Sequence, residues 1–125
     1  MSYREKTLKI KRVQKDFLIS NNDRITYIYL RDLKNNSITE VVNVSYDVLI
    51  KKKWQTIIRY DSHHGYLHRH LKISLKNEKD MVEHIQIPGT HSDWLTWAMQ
   101  DLLKNYREYK LTFFDINSII DNSKA

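Results

Sequence analysis

The sequence predicts an α+β domain: an antiparallel sheet of five or six strands, then one long amphipathic helix packed on one face of it. Three observations carry this. Over the first two thirds of the chain apolar and polar residues alternate with the two-residue period of half-buried strands, broken by polar turn clusters. Pro88-Gly89 ends that pattern. Beyond it the apolar residues recur at steps of three and four, the period of a helix with one buried face.

In chain order, Thr7 to Val13 alternates Leu8 and Ile10 with Lys9 and Lys11 and is the first strand. Ser20-Asn21-Asn22-Asp23 is a turn. Ile25 to Leu30, rich in β-branched and aromatic residues, follows, and Asp32 to Ser37 is a second polar turn. The clearest strand is Ile38 to Val48. Ile38, Val42, Val44, Tyr46 and Val48 share one parity, interrupted by Glu40, while Thr39, Asn43, Ser45 and Asp47 share the other. Lys51-Lys52-Lys53 connects to a strand from Trp54 to Asp61. After a His63-His64-Gly65 turn come Tyr66 to Leu75, a charged turn at Asn77 to Asp80, and a short strand from Val82 to Ile87.

The helix announces its start. Thr90 and Asp93 stand three apart, a capping box with Asp in the usual Glu position. Leu95, Ala98, Met99, Leu102, Tyr106, Tyr109 and Phe113 form the apolar stripe of a helix of about twenty residues, leaving Gln100, Lys104, Arg107 and Lys110 outside. Trp94 and Trp97 flank the stripe as core anchors. Residues 1–114 are read as a single domain and 115–125 as a polar C-terminal tail.

Composition removes several function classes. There is no cysteine, which excludes disulfides and thiolate metal sites. Two glycines and one proline leave no Gly-rich phosphate loop and no flexible linker. No apolar run reaches the roughly 18 residues of a membrane span, and the first residues lack a leader pattern, so a cytoplasmic protein with no membrane partner is expected. The net charge of +6 favours encounter with polyanions such as RNA or DNA, and equally suits a lysine-rich solvated surface. Three Trp, eight Tyr and three Phe lie among the basic residues, where they suit stacking on unpaired bases or filling a half-wet sheet face.

One stretch holds four of the six histidines: Arg59-Tyr60-Asp61-Ser62-His63-His64-Gly65-Tyr66-Leu67-His68-Arg69-His70. A two-residue His64-Gly65 turn sets Asp61 opposite His68 and Arg59 opposite His70. A four-residue Ser62-to-Gly65 loop sets Arg59 opposite His68 instead. With either even loop, Arg59, Asp61, His68 and His70 share one sheet face, and Leu67, Leu71, Ile73, Leu75, Ile58 and Trp54 share the other.

Paired imidazoles beside an arginine suit cleavage of RNA without a metal or other cofactor. One His takes the ribose 2′-hydroxyl proton, the other protonates the leaving oxygen, and Arg59 steadies the charged phosphorane. Asp61 fixes the tautomer of a neighbouring imidazole. The candidate catalytic set is Arg59, Asp61, His64, His68 and His70, with Lys51, Lys52, Lys53 and Arg69 as candidate nucleic-acid contacts. For the three lysines an exposed hairpin loop is the preferred reading over a dedicated phosphate contact. Two alternatives stand beside this: a first-row metal ion held by His64, His68, His70 and Asp61, or a polar strand face without chemistry. His84 and His91 receive no role.

The run Trp54-…-Arg59-Tyr60-Asp61-x-x-His64-Gly65-x-x-His68-x-His70 precedes a helix carrying Trp94, Ala98, Asp101-Leu102, Asn105-Tyr106 and Tyr109. Together they resemble small uncharacterised proteins found widely in archaea. They are similar, more distantly, to the TumE-like toxins of bacterial toxin–antitoxin pairs, over roughly residues 40 to 112. The resemblance implies a growth-inhibiting toxin acting on RNA and paired with an antitoxin protein, with Arg59, Asp61, His64, His68 and His70 as its functional positions. The chain departs from the toxin pattern in lacking prolines around its histidines and in its long, strand-rich amino-terminal third. The competing expectation is a non-enzymatic accessory protein of a virus or mobile element. Exposed edge strands also suit a homodimer.

Overall fold

The computed structural model describes residues 9–72, 74–75 and 79–119. Six strands, β1 (Ile10–Ser20), β2 (Asp23–Asp32), β3 (Ile38–Ile50), β4 (Lys53–Asp61), β5 (His68–Leu71) and β6 (Met81–His84), precede one helix, α1 (His91–Ile116). The strands form a single sheet in chain order, each antiparallel to the next. The helix lies across β3 and β4 and covers one face. This is the α+β architecture that the alternation and the helical stripe predict.

Under the helix, Val44, Tyr46 and Val48 of β3 meet Ile25 of β2, Ile58 and Tyr60 of β4, and Ala98, Leu102, Phe113 and Phe114 of α1, all buried. Burying each such large apolar side chain contributes on the order of 2 kcal/mol, and this cluster is what fixes α1 on the sheet. β1 lies outside it as an edge strand. Of the expected first strand, Thr7 and Leu8 fall outside the described residues, and β1 runs past Val13 to Ser20. Apart from the partly buried Val13 and Ile19 its side chains are exposed, so its later half has little need to alternate.

Two of the sheet's register shifts move core side chains away from the strict period. Val42 of β3 has no partner, because Ile28 pairs with Asn43 and Tyr29 with Val41. Val41 therefore enters the core where simple alternation places Val42. In β4 the extra residue is Ile57, since Tyr46 pairs with Ile58 and Asp47 with Thr56. That bulge turns Trp54 onto the face away from α1, where the Arg24 guanidinium lies 4.4 Å from its ring centre. The expected core position of Trp54 is thereby corrected.

The capping box forms: the Thr90 hydroxyl accepts the Asp93 N–H and the Asp93 carboxylate accepts the Thr90 N–H at 2.7 Å. The helix is 26 residues long and reaches Ile116, past the expected start of the tail. Ile119 also packs on the core, its N–H bonded to the Phe114 carbonyl at 2.8 Å. Lys110, expected outside, is buried, with Nζ 3.2 Å from the buried Asp23 carboxylate. β5 and β6 are shorter than the sequence suggests. Ile73 and residues 76–78, where the longer strand and the charged turn are expected, lie outside the described residues.

Lys51 and Lys52 are the two central residues of the β3–β4 hairpin, with φ of 50° and 66°. Both sit in the left-handed region of a primed hairpin turn, which Asn and Gly occupy at lower cost. Replacing the pair by Asn-Gly is expected to raise stability by about 1 kcal/mol, read from urea-unfolding midpoints. A lower midpoint would show that the lysine side chains themselves stabilise this end of the sheet.

Candidate functional site

Arg59 pairs with His70 and Asp61 with His68 across β4 and β5. This is the register of a two-residue turn, yet the connection is six residues, 62–67. Six is also even, so the same four side chains share the face that α1 leaves open. The loop tightens through a turn in which the Gly65 N–H bonds the Ser62 carbonyl at 2.9 Å, with Gly65 at φ 86°. Leu67, fully buried on the helix side, pins its far end.

Asp61 is the hub. One carboxylate oxygen accepts the Arg59 guanidinium at 3.0 Å and His70 Nε2 at 2.9 Å. The other accepts the His63 backbone N–H at 3.2 Å and faces His68 Nε2 at 3.3 Å. Asp61 and His68 are buried, whereas Arg59 and His70 are half-buried at the rim. His68 Nδ1 stands 3.2 Å from the Tyr66 carbonyl, which only accepts, so that nitrogen carries the proton. His68 thus has both ring nitrogens engaged. His70 does not: among the described residues its Nδ1 has no hydrogen-bond partner.

Burial pushes the Asp61 carboxyl up, but the His63 N–H and the charges of His68, His70 and Arg59 outweigh it, and the group sits below its ordinary value. Burial and the Arg59 charge lower His70, with Asp61 opposing them. His64 is exposed, its ring stacked on His68 at 5.5 Å and 14°. Tyr66 stands 4.9 Å from His68 and 4.2 Å from His84, ring centre to ring centre. His84 also pairs with His68 across β5 and β6. Sequence reasoning gave Tyr66 and His84 no role because the β5–β6 connection is too long for register to be counted through it.

The candidate nucleic-acid contacts do not join this group. Lys51–Lys53 lie at the opposite end of β4, eight residues or roughly 26 Å from Asp61. Arg69 points to the helix side, bonded to Glu83 at 2.9 Å and lying 3.4 and 3.3 Å from the Tyr60 and Tyr109 hydroxyls. Those two hydroxyls share the Asp101 carboxylate. Burial and that carboxylate push the Tyr109 phenol up to about 12.

A second polar link ties the site to the helix start. The buried Ser62 hydroxyl accepts the Val41 N–H at 2.8 Å and stands 2.8 Å from His91 Nδ1. Burial depresses the His91 pKa, while Glu40, the charged group facing it from β3, acts in the opposite sense. A depressed histidine is neutral in the fold and binds protons more readily when unfolded. Its contribution to stability is therefore complete above the unfolded value of about 6.5 and is lost as pH falls below it. The expected result is a melting temperature that drops between pH 7.5 and 5.5, by less in His91→Asn. Equal slopes for the two proteins would remove His91 as the cause.

The fold and site together define an α+β domain with a six-strand antiparallel meander, one C-terminal helix, and an Asp-His-His group beside an arginine on the uncovered face. The chain belongs to the family described as Domain of unknown function (DUF7718), whose model matches residues 11–118 and so spans nearly every element of the sheet and the helix. No curated protein and no solved structure matches the chain. Among the described residues no helix is long and apolar enough to cross a membrane.

Proposed function

We propose that this chain is a toxin-like RNA-binding protein that cleaves RNA at the Asp61–His70 pair, with no metal ion in the step. The observation that carries this reading is the state of His70: Nε2 is held by Asp61 at 2.9 Å while Nδ1 has no hydrogen-bond partner among the described residues, beside the half-exposed Arg59. By accepting the Nε2 proton, Asp61 selects the tautomer whose Nδ1 lone pair is bare. That nitrogen takes the proton of a ribose 2′-hydroxyl. The 2′ oxygen then attacks the adjacent phosphorus, and the bond to the 5′ oxygen breaks, leaving a 2′,3′-cyclic phosphate. Arg59 neutralises the charge gathering on the phosphorane oxygens. His64, the exposed imidazole stacked on His68, gives the leaving oxygen its proton. His68, buried beside Asp61 with Nδ1 on the Tyr66 carbonyl, packs against the pair and takes no proton in the step.

The net charge of +6 supplies the electrostatic attraction that RNA encounter requires. The toxin part of the reading rests on the similarity of the Arg59-to-His70 motif to TumE-like toxins, with an antitoxin protein as the partner that silences the chain. The test is incubation of the purified protein with mixed cellular RNA, with and without EDTA, and identification of the new ends. Cyclic-phosphate ends that persist in EDTA support the reading. Cleavage lost in EDTA overturns the metal-free step, and absence of cleavage under both conditions overturns the enzyme and favours the accessory-protein reading.

A further inference from the structure

We infer that Asp61, His68 and His70 form a binding site for one first-row divalent ion of the zinc class, and that the ion switches the proposed cleavage off. Each of the three residues offers a ligand atom, and these atoms lie within 4.8 Å of one another. In a tetrahedral site with bonds of about 2.0–2.2 Å, neighbouring ligand atoms stand ~3.4 Å apart. His68 Nε2 is already 3.3 Å from one Asp61 oxygen, and His70 Nε2 is 2.9 Å from the other. Small rotations of the two rings are all that closing around an ion demands.

The His68 ring supplies an independent argument. Its Nδ1 proton goes to the Tyr66 carbonyl, so in the ring's neutral form a bare Nε2 lone pair is turned toward a carboxylate. Two lone pairs facing each other in a buried place repel, and only a positive charge between them, a proton or a metal ion, relieves this. A backbone carbonyl holding the non-ligating nitrogen is also the usual outer partner of a metal-bound imidazole. Two imidazoles and one carboxylate suit zinc and its first-row neighbours, and three protein donors leave a fourth position for water. Arg59 bonds the Asp61 oxygen that His68 does not face, so the carboxylate can hold an ion on one side and the guanidinium on the other.

An ion on His70 Nε2 displaces the hydrogen bond to Asp61 that selects the bare Nδ1, so binding and base catalysis exclude each other. The inhibitory half of the inference rests on the cleavage reading; the binding half does not. Calorimetric titration of the full chain with zinc chloride, backed by visible absorption with cobalt(II), tests binding without RNA. The expected result is one ion per chain and a cobalt spectrum of four-coordinate type. Affinity should fall at least tenfold in His70→Ala and in Asp61→Asn and stay unchanged in His84→Ala. Absence of uptake, or uptake equal in His70→Ala, Asp61→Asn and the parent, overturns the site. Stoichiometric binding with RNA cleavage unaffected by saturating zinc overturns the switch. If the metal-free protein cleaves no RNA at all, the cleavage reading fails while the titration still decides the site.

Discussion

His70→Ala is expected to lower the rate of RNA cleavage by roughly 10²- to 10⁴-fold, the usual worth of a positioned general base, while leaving the fold close to its parent. The two halves of this expectation come from one fact. His70 is half-buried at the rim, held by one hydrogen bond to Asp61 and a tilted ring contact with His68, so its removal opens space to solvent and not a core cavity. Stability should change by less than about 1 kcal/mol. His68→Ala makes the contrast, because that ring is buried and its loss leaves one Asp61 oxygen with the His63 N–H alone. It should destabilise the chain more than His70→Ala does. Cleavage of a fluorogenic RNA oligomer, read beside circular-dichroism melting of both variants, separates the roles. Full activity in His70→Ala would remove the base from the mechanism, and severe unfolding of that variant would make His70 structural.

The helix was legible because its signals are local. The Thr90–Asp93 box and the three-four stripe lie within one segment, and both appear as expected. The site register was legible for a less obvious reason. Parity survives any even loop, so Arg59, Asp61, His68 and His70 share a face even though the connection is six residues and neither shorter loop forms. Long-range events left no local trace. The bulges at Val42 and Ile57 answer to neighbouring strands and reverse the faces of Val41 and Trp54. Lys110 is buried because it meets Asp23, 87 residues earlier, and a lysine at that helical position otherwise reads as solvent-facing. Arg69 and Tyr60 alternate out of the histidine face, but only the packed helix reveals that Tyr109 and Asp101 await them.

Asp47→Ala should cost roughly 3 kcal/mol of stability, lowering the melting temperature by roughly 10 °C, as breaking a buried charge pair does. Asp47 lies on the sheet face without a helix, yet it is only 1% exposed. Each of its oxygens takes two donors. One accepts Arg24 Nε and the Thr26 hydroxyl, both at 2.9 Å, and the other accepts the hydroxyls of Ser45 at 3.0 Å and Thr56 at 2.7 Å. These donors come from β2, β3 and β4, so one carboxylate ties three strands together. Truncation strands the Arg24 charge beside Trp54 and leaves the nearly buried Ser45 hydroxyl without its acceptor. Asp47→Asn keeps one oxygen and lets the hydroxyls rotate to accept, so its cost should be about half. Ser45 pairs directly with Arg59, which places this cluster next to the histidine site on the same face. A melting temperature for Asp47→Ala within about 3 °C of the parent would mean that water reaches these donors, and that the open face is held by its backbone ladder alone.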